Sequence, residues 1–230
     1  MLGSLDFDVI TRSLPYVLGE GLRFTLTLTA LATVFGLTLG TILALMRLSG
    51  MKALSVPATL YVNLMRSLPL VLVIFWFYFL VPYIGQFVLR TERPVQVGAF
   101  ASALITFSLF EAAYFSEIMR AGIQSVARGQ AAAGSALGLT YRQLMQYVIL
   151  PQAVRNMLPV MLTQTIVLFQ DTSLVYVISL TDLLGAAATV ANRDGRLVEM
   201  YVFAALIYFV ISFGASLVVR RLQARMAIIR

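Results

Sequence analysis

The chain has 230 residues, 60% of them hydrophobic and only 12% charged, with 17 Lys and Arg against 10 Asp and Glu for a net charge of +7. Soluble domains average roughly half apolar and about a quarter charged, so an ordinary soluble domain is excluded and a membrane protein is indicated. Without a single Cys or His there can be no disulfide, thiolate metal site or histidine proton relay, and the basic residues are scattered between apolar stretches instead of forming a nucleic-acid-binding domain.

In chain order, the first 21 residues hold Asp6, Asp8 and Glu20 against Arg12 alone. That is the wrong charge for a secretory leader, and with no obvious small-residue cleavage site no processing is expected. A spanning helix takes about 20 apolar residues. Residues 22–46 supply the first, with Arg23 at its edge placed to snorkel to the headgroups. Residues 47–66, with Arg47, Lys52 and Arg66, are expected as a loop. The second span, 68–89, opens on Pro69 and carries Trp76, Phe77, Tyr78, Tyr83 and Phe87 as an interfacial aromatic belt. The third, about 97–119, contains Glu111 and ends on Glu117 and Arg120, whose spacing of three puts them on one helix face as an ion pair.

The stretch 120–156 is too long for a turn and too polar for a span. Ile123, Val126, Ala133, Leu137, Leu144, Val148 and Ile149 recur at roughly helical spacing, with a break around Gly138 and Thr140. Two short amphipathic helices joined by a glycine turn are expected, Thr140 capping the second. The fourth span, about 157–180, is interrupted by Gln170, Asp171, Thr172 and Ser173; residues 181–198 are taken as an outer loop, and 199–219 form the fifth span. The expectation is an all-α, polytopic membrane helix bundle of about five transmembrane helices, a single domain over 1–230.

Lys and Arg fix an orientation. Arg47, Lys52 and Arg66, then Arg120, Arg128, Arg142 and Arg155, then Arg220, Arg221, Arg225 and Arg230 lie in three segments without any Asp or Glu, and such segments face the cytoplasm. Asp6, Asp8, Glu20, Glu92, Asp182 and Asp194 fall on the other side. The N-terminus is expected outside and the C-terminus inside.

The 120–156 loop resembles the signature loop of ABC importer permeases, Glu-Ala-Ala, three residues, Gly, nine residues, Ile-x-Leu-Pro. Here Ala132-Ala133-Gly134, Gly138 and Val148-Ile149-Leu150-Pro151 keep the spacing, with Ala132 in place of the acid, Gly134 of an Ala and Val148 of the Ile. Arg66-Ser67-Leu68-Pro69-Leu70, Phe110-Glu111-Ala112-Ala113-Tyr114, Gly129-Gln130 and Asp171-Thr172-Ser173-Leu174 resemble the polar amino acid branch of that family. Trp76-Phe77-Tyr78, the run from Ile166 to Val177 and Arg193-Asp194-Gly195 look most like a glutamate/aspartate importer's permease. The resemblance implies the type I ABC importer permease fold in the bacterial inner membrane. It also implies that Gly129, Gln130, Ala132, Ala133, Gly134, Gly138, Leu150 and Pro151 couple to an ATPase. A homologous second permease, giving a heterodimer, two cytoplasmic ATPase subunits and a periplasmic amino-acid-binding protein are the implied partners, with membrane lipid and no nucleic acid. This chain has no Gly-x-x-x-x-Gly-Lys-Ser/Thr loop. It is thus expected to be a transport subunit and no enzyme, binding no cofactor itself, with ATP and Mg on the partner ATPase.

Glu111, Gln164, Thr165, Gln170, Asp171, Thr172 and Ser173 are the candidate substrate pathway. A charge at membrane depth costs at least ~2.5 kcal/mol unless it faces protein or water, so Glu111 either lines a pathway or bonds a neighbouring helix. The polar group at 170–173 either lines the pathway or caps a helix end. Any arginine clamp for a substrate carboxylate is expected to come largely from the partner subunit or the binding protein. Two rival classes stay open: a secondary transporter, which would need a coupling-ion site, and a structural membrane subunit that does not transport.

Overall fold

The computed structural model describes residues 6–226, which leaves Arg230, counted above in the basic tail, outside the described residues. Among these residues eight helical segments follow one another: α1 Asp8–Leu48, α2 Lys52–Ser67, α3 Leu70–Leu89, α4 Ala99–Gln124, α5 Arg128–Ala136, α6 Tyr141–Ile178, α7 Leu183–Asp194 and α8 Leu197–Met226. Five of them, α1, α3, α4, α6 and α8, are long and apolar enough to cross a bilayer. α1 has 41 residues, or about 60 Å at 1.5 Å per residue, twice the hydrocarbon thickness of about 30 Å. Only part of it is membrane-embedded. Its acidic start is set off from the apolar run at residues Val17–Leu22, where the helix widens to i→i+5 hydrogen bonding just after Pro15.

Two connections expected as loops are helices. Residues 52–67 form α2, with Ala58 and Val62 buried on one face. The stretch 181–198 holds α7, whose Leu183, Ala186, Ala187, Val190 and Ala191 are buried. Twelve residues cannot span a bilayer, so the helix is satisfied instead by protein on its sides.

The chain divides into two compact units. The first takes residues 1–34, 68–108 and 166–215, and α7 is at its centre: Val9 and Val17 of α1, Leu183, Ala186, Ala187, Val190 and Ala191 of α7, and Met200 and Ala204 of α8 make one buried cluster. The second takes residues 35–67, 109–165 and 216–230. Within it α1 and α4 approach so closely at Gly36 and Gly40 that a Cβ there would sit 2.9 Å from the Glu111 Cβ and 2.8 Å from the Phe115 Cβ. The Tyr61 hydroxyl ties α2 to α4 by donating to the Leu109 carbonyl at 2.8 Å.

Candidate functional site

The 120–156 loop has its glycine turn where the sequence places it, but the second helix expected there is not a separate short one: it runs on unbroken into the fourth span as α6. α5 runs Arg128–Ala136, Gly138 has φ +76°, and Thr140 caps α6. A side chain is rarely tolerated at that φ, whereas glycine adopts it freely. The cap is reciprocal: the Gln143 amide N–H donates to Thr140 Oγ1 at 3.4 Å, and the Thr140 N–H donates to Gln143 Oε1 at 2.9 Å. Gly134 is buried, with the Leu144 side chain occupying the space a methyl group would need. Gly129, Gln130, Ala132, Ala133, Gly138, Leu150 and Pro151 are exposed. Between them the turn projects Leu137, 82% exposed, and Tyr141, 77% exposed. Two large side chains are thus left without cover on one tight turn, and Tyr141 is not among the candidates read from sequence. In the same unit a hollow of about 570 Å³ is lined by Gln130, Gln152, Arg155, Asn156 and Gln223.

The second unit also holds Glu111, Gln164 and Thr165. Glu111 has no exposed surface, and the Gln164 Nε2 lies 3.2 Å from each of its carboxylate oxygens. The hydrogen-bonded neighbour helix, one of the two readings left open for Glu111, is therefore present and is α6. Thr165 turns its hydroxyl back onto the Met161 carbonyl at 3.2 Å.

Six residues beyond Glu111 on α4, Glu117 gathers more charge than its spacing with Arg120 suggests. Arg120 forms the expected i, i+3 pair through two nitrogens. Arg47 from the end of α1 reaches Glu117 Oε2 at 2.8 Å, and Arg66 from the end of α2 lies 3.9 Å from Oε1. The Arg66 guanidinium also sits over the Tyr114 ring at 5.6 Å. In the sequence Arg47 and Arg66 count as markers of orientation, and Arg66 also as part of the Arg66–Leu70 resemblance, with no contact to Glu117 implied. Nothing in their spacing, 70 and 51 residues from Glu117, signals that they converge.

In the first unit the polar run marks a change of helix type: α6 is α-helical from Leu150 to Asp171 and tightens to i→i+3 turns over Thr172–Ile178. Gln170 is exposed, Asp171 and Ser173 are half-buried, and Thr172 is buried with its hydroxyl on the Phe169 carbonyl at 2.7 Å. Asp182, expected in an outer loop, has no exposed surface. Its carboxylate accepts from the N–H groups of Leu184 at 3.0 Å and Gly185 at 2.9 Å, capping α7, and the Tyr208 hydroxyl lies 3.3 Å away. Burial pushes its carboxyl up to about 6, the two cap N–H groups and Tyr208 opposing the rise. The cap was visible in principle, since Asp182 precedes an apolar run that ends in Arg193 and Gly195.

Comparison with known proteins agrees with this anatomy. Residues 36–228 match the family described as binding-protein-dependent transport system inner membrane component. The chain is 53% identical to the glutamate/aspartate import permease protein GltK of Escherichia coli O157:H7, over 96% of this chain and 98% of that protein. It is 33% identical to the arginine transport system permease protein ArtQ of Bacillus subtilis, over 96% and 99%. A crystal structure of an amino acid ABC transporter with histidines superposes with a TM-score of 0.89 at 32% identity, covering 96% of this chain and 99% of that one.

Proposed function

Because the chain belongs to the family of binding-protein-dependent transport system inner membrane components, we propose that it is the permease through which an ATP-driven ABC importer carries glutamate and aspartate into the cell. The observation that carries this reading is near full-length identity of 53% to a glutamate/aspartate import permease, joined to an exposed Leu137–Tyr141 turn built on Gly138. In this reading a binding protein delivers the amino acid on the outer face. A homologous permease completes a heterodimer, and two cytoplasmic ATPase subunits, which hold ATP and Mg, receive the Leu137 and Tyr141 knob in a groove. Gly129, Gln130, Ala132, Ala133, Gly134, Gly138, Leu150 and Pro151 are the frame of that knob. Ala132 brings no carboxylate to the interface, so docking there rests on apolar area.

The charge pattern supports an inner-membrane orientation with the N-terminus periplasmic and the C-terminus cytoplasmic. The second unit carries eleven of the 17 basic residues and only Glu111 and Glu117 of the 10 acidic ones. The polar candidates for a pathway are Gln164 and Thr165 on α6 with Glu111 on α4 in the second unit, and Gln170, Asp171, Thr172 and Ser173 on α6 in the first. The test is uptake of labelled glutamate by vesicles holding the chain with its partner permease, ATPase and binding protein. Unlabelled aspartate should compete and arginine should not. Competition by arginine or glutamine equal to that by aspartate would move the substrate assignment elsewhere in the family.

A further inference from the structure

The Glu117 cluster has too little negative charge for its cations. Each guanidinium offers about five N–H donors and one carboxylate about four acceptor sites, so Glu117 can neither neutralise nor saturate Arg47, Arg66 and Arg120. Among the described residues none of these three arginines forms an ion pair with any carboxylate but Glu117. Arg47 is the most confined, its side chain only 7% exposed, and its Nε is buried without an acceptor. A buried donor left unsatisfied is unfavourable, which makes the cluster a place where a second anion would be held. Arg66, with a side chain 40% exposed, is its open side.

The direction in which Arg66 opens separates two classes of anion. At 100° per residue, Arg66 lies about 40° around α2 from the buried Val62, whereas Leu60 and Leu64 lie about 160° from Val62 on the opposite side. Leu60 is 68% exposed and Leu64 53%, so they form the lipid-compatible stripe, and Arg66 faces away from it. A lipid phosphate would meet the wrong face of the helix. We propose that Arg66 and Arg120, backed by Arg47, bind the side-chain carboxylate of the acidic amino acid in transit, with Glu117 as the resident counter-ion that the ligand partly displaces. The arginine clamp expected from the partner subunit or the binding protein is thus supplied in part by this chain. The inference rests on the acidic-substrate reading above and adds the group of this chain that recognises the second carboxylate.

Two measurements on the complete importer in vesicles test it. Labelling of Arg66 by phenylglyoxal, read peptide by peptide in a mass spectrometer, should slow severalfold with millimolar glutamate and remain unchanged with glutamine. Arg66→Gln should lower glutamate uptake per ATP hydrolysed about tenfold, the effect of losing one hydrogen bond to a charged group, with binding-protein docking unchanged, and Arg66→Lys should recover most of it. Labelling insensitive to glutamate, equal slowing by glutamine, or slowing that follows anionic lipid content instead of amino acid would overturn the assignment. Normal uptake by Arg66→Gln would do the same. If the wild-type importer takes up no glutamate at all, the substrate reading fails; if it does and the Arg66 results are negative, only this site fails.

Discussion

Asp182 shows how far one residue's role depends on its surroundings. In an outer loop its carboxylate would be solvated and inert; as the buried cap of α7 it holds a helix end. Asn keeps the acceptor oxygen and removes the charge, so Asp182→Asn should fold, while Asp182→Ala should lose about 1 kcal/mol with the cap. The pH dependence has a definite sign. The folded chain holds this proton up to about 6 and the unfolded chain only to 3.8. The folded state therefore binds more protons in that window, and the stabilisation, complete below 3.8, is lost as pH rises to about 6. Thermal unfolding in detergent should show the wild-type midpoint falling relative to Asp182→Asn across that range; parallel curves would mean that Asp182 titrates normally. Glu111 is predicted to be structural as well as polar. Gln164→Ala removes the amide facing both Glu111 oxygens and weakens the hydrogen bonding of a buried carboxylate, at a cost of about 1–3 kcal/mol. An unchanged unfolding midpoint would show that water already serves Glu111.

At the scale of elements, helix packing and turn geometry carry separate predictions. A Cβ on Gly40 would lie 3.0 Å from the Ala112 carbonyl oxygen as well as against Phe115, and backbone cannot step aside as a side-chain tip can. Gly40→Val should therefore cost about 1–3 kcal/mol through overpacking, read as a lowered unfolding midpoint. Gly138→Val should leave insertion and binding-protein affinity intact but uncouple ATP hydrolysis from uptake, because a β-branched residue resists φ +76°. Normal transport by that variant would remove the turn from the coupling step. These elements differed in how legible they were. The five spans, the helix break after Asp171 and the Gly138–Thr140 turn were readable because hydropathy, a polar interruption and cap chemistry act within a few residues of sequence. α2 and α7 were missed because a reading keyed to spans of about 20 apolar residues passes over helices of 16 and 12 residues, although the amphipathic face of one and the alanines and Asp182 cap of the other are helix signals. The Arg47–Arg66–Glu117 convergence was illegible, since three helices meet there and only Glu117 and Arg120 are neighbours in sequence.

For the whole molecule, the division of charge between the two units makes topology the broadest prediction. A reporter inserted in the turn around Gly195 should be periplasmic and one in the Gly138 turn cytoplasmic; reversed signals would put the Leu137 and Tyr141 knob on the wrong side for any ATPase. Docking, pathway and substrate all depend on that placement, and together they make this chain a conduit whose motion is driven from outside it. The most direct measurement is glutamate accumulation in vesicles that contain this chain, its partner permease and the binding protein, with and without the ATPase and ATP on the cytoplasmic side. The account predicts accumulation against a gradient only with both ATPase and ATP, lost in Gly138→Val while hydrolysis continues. Accumulation that persists without the ATPase, driven by an ion gradient, would contradict it.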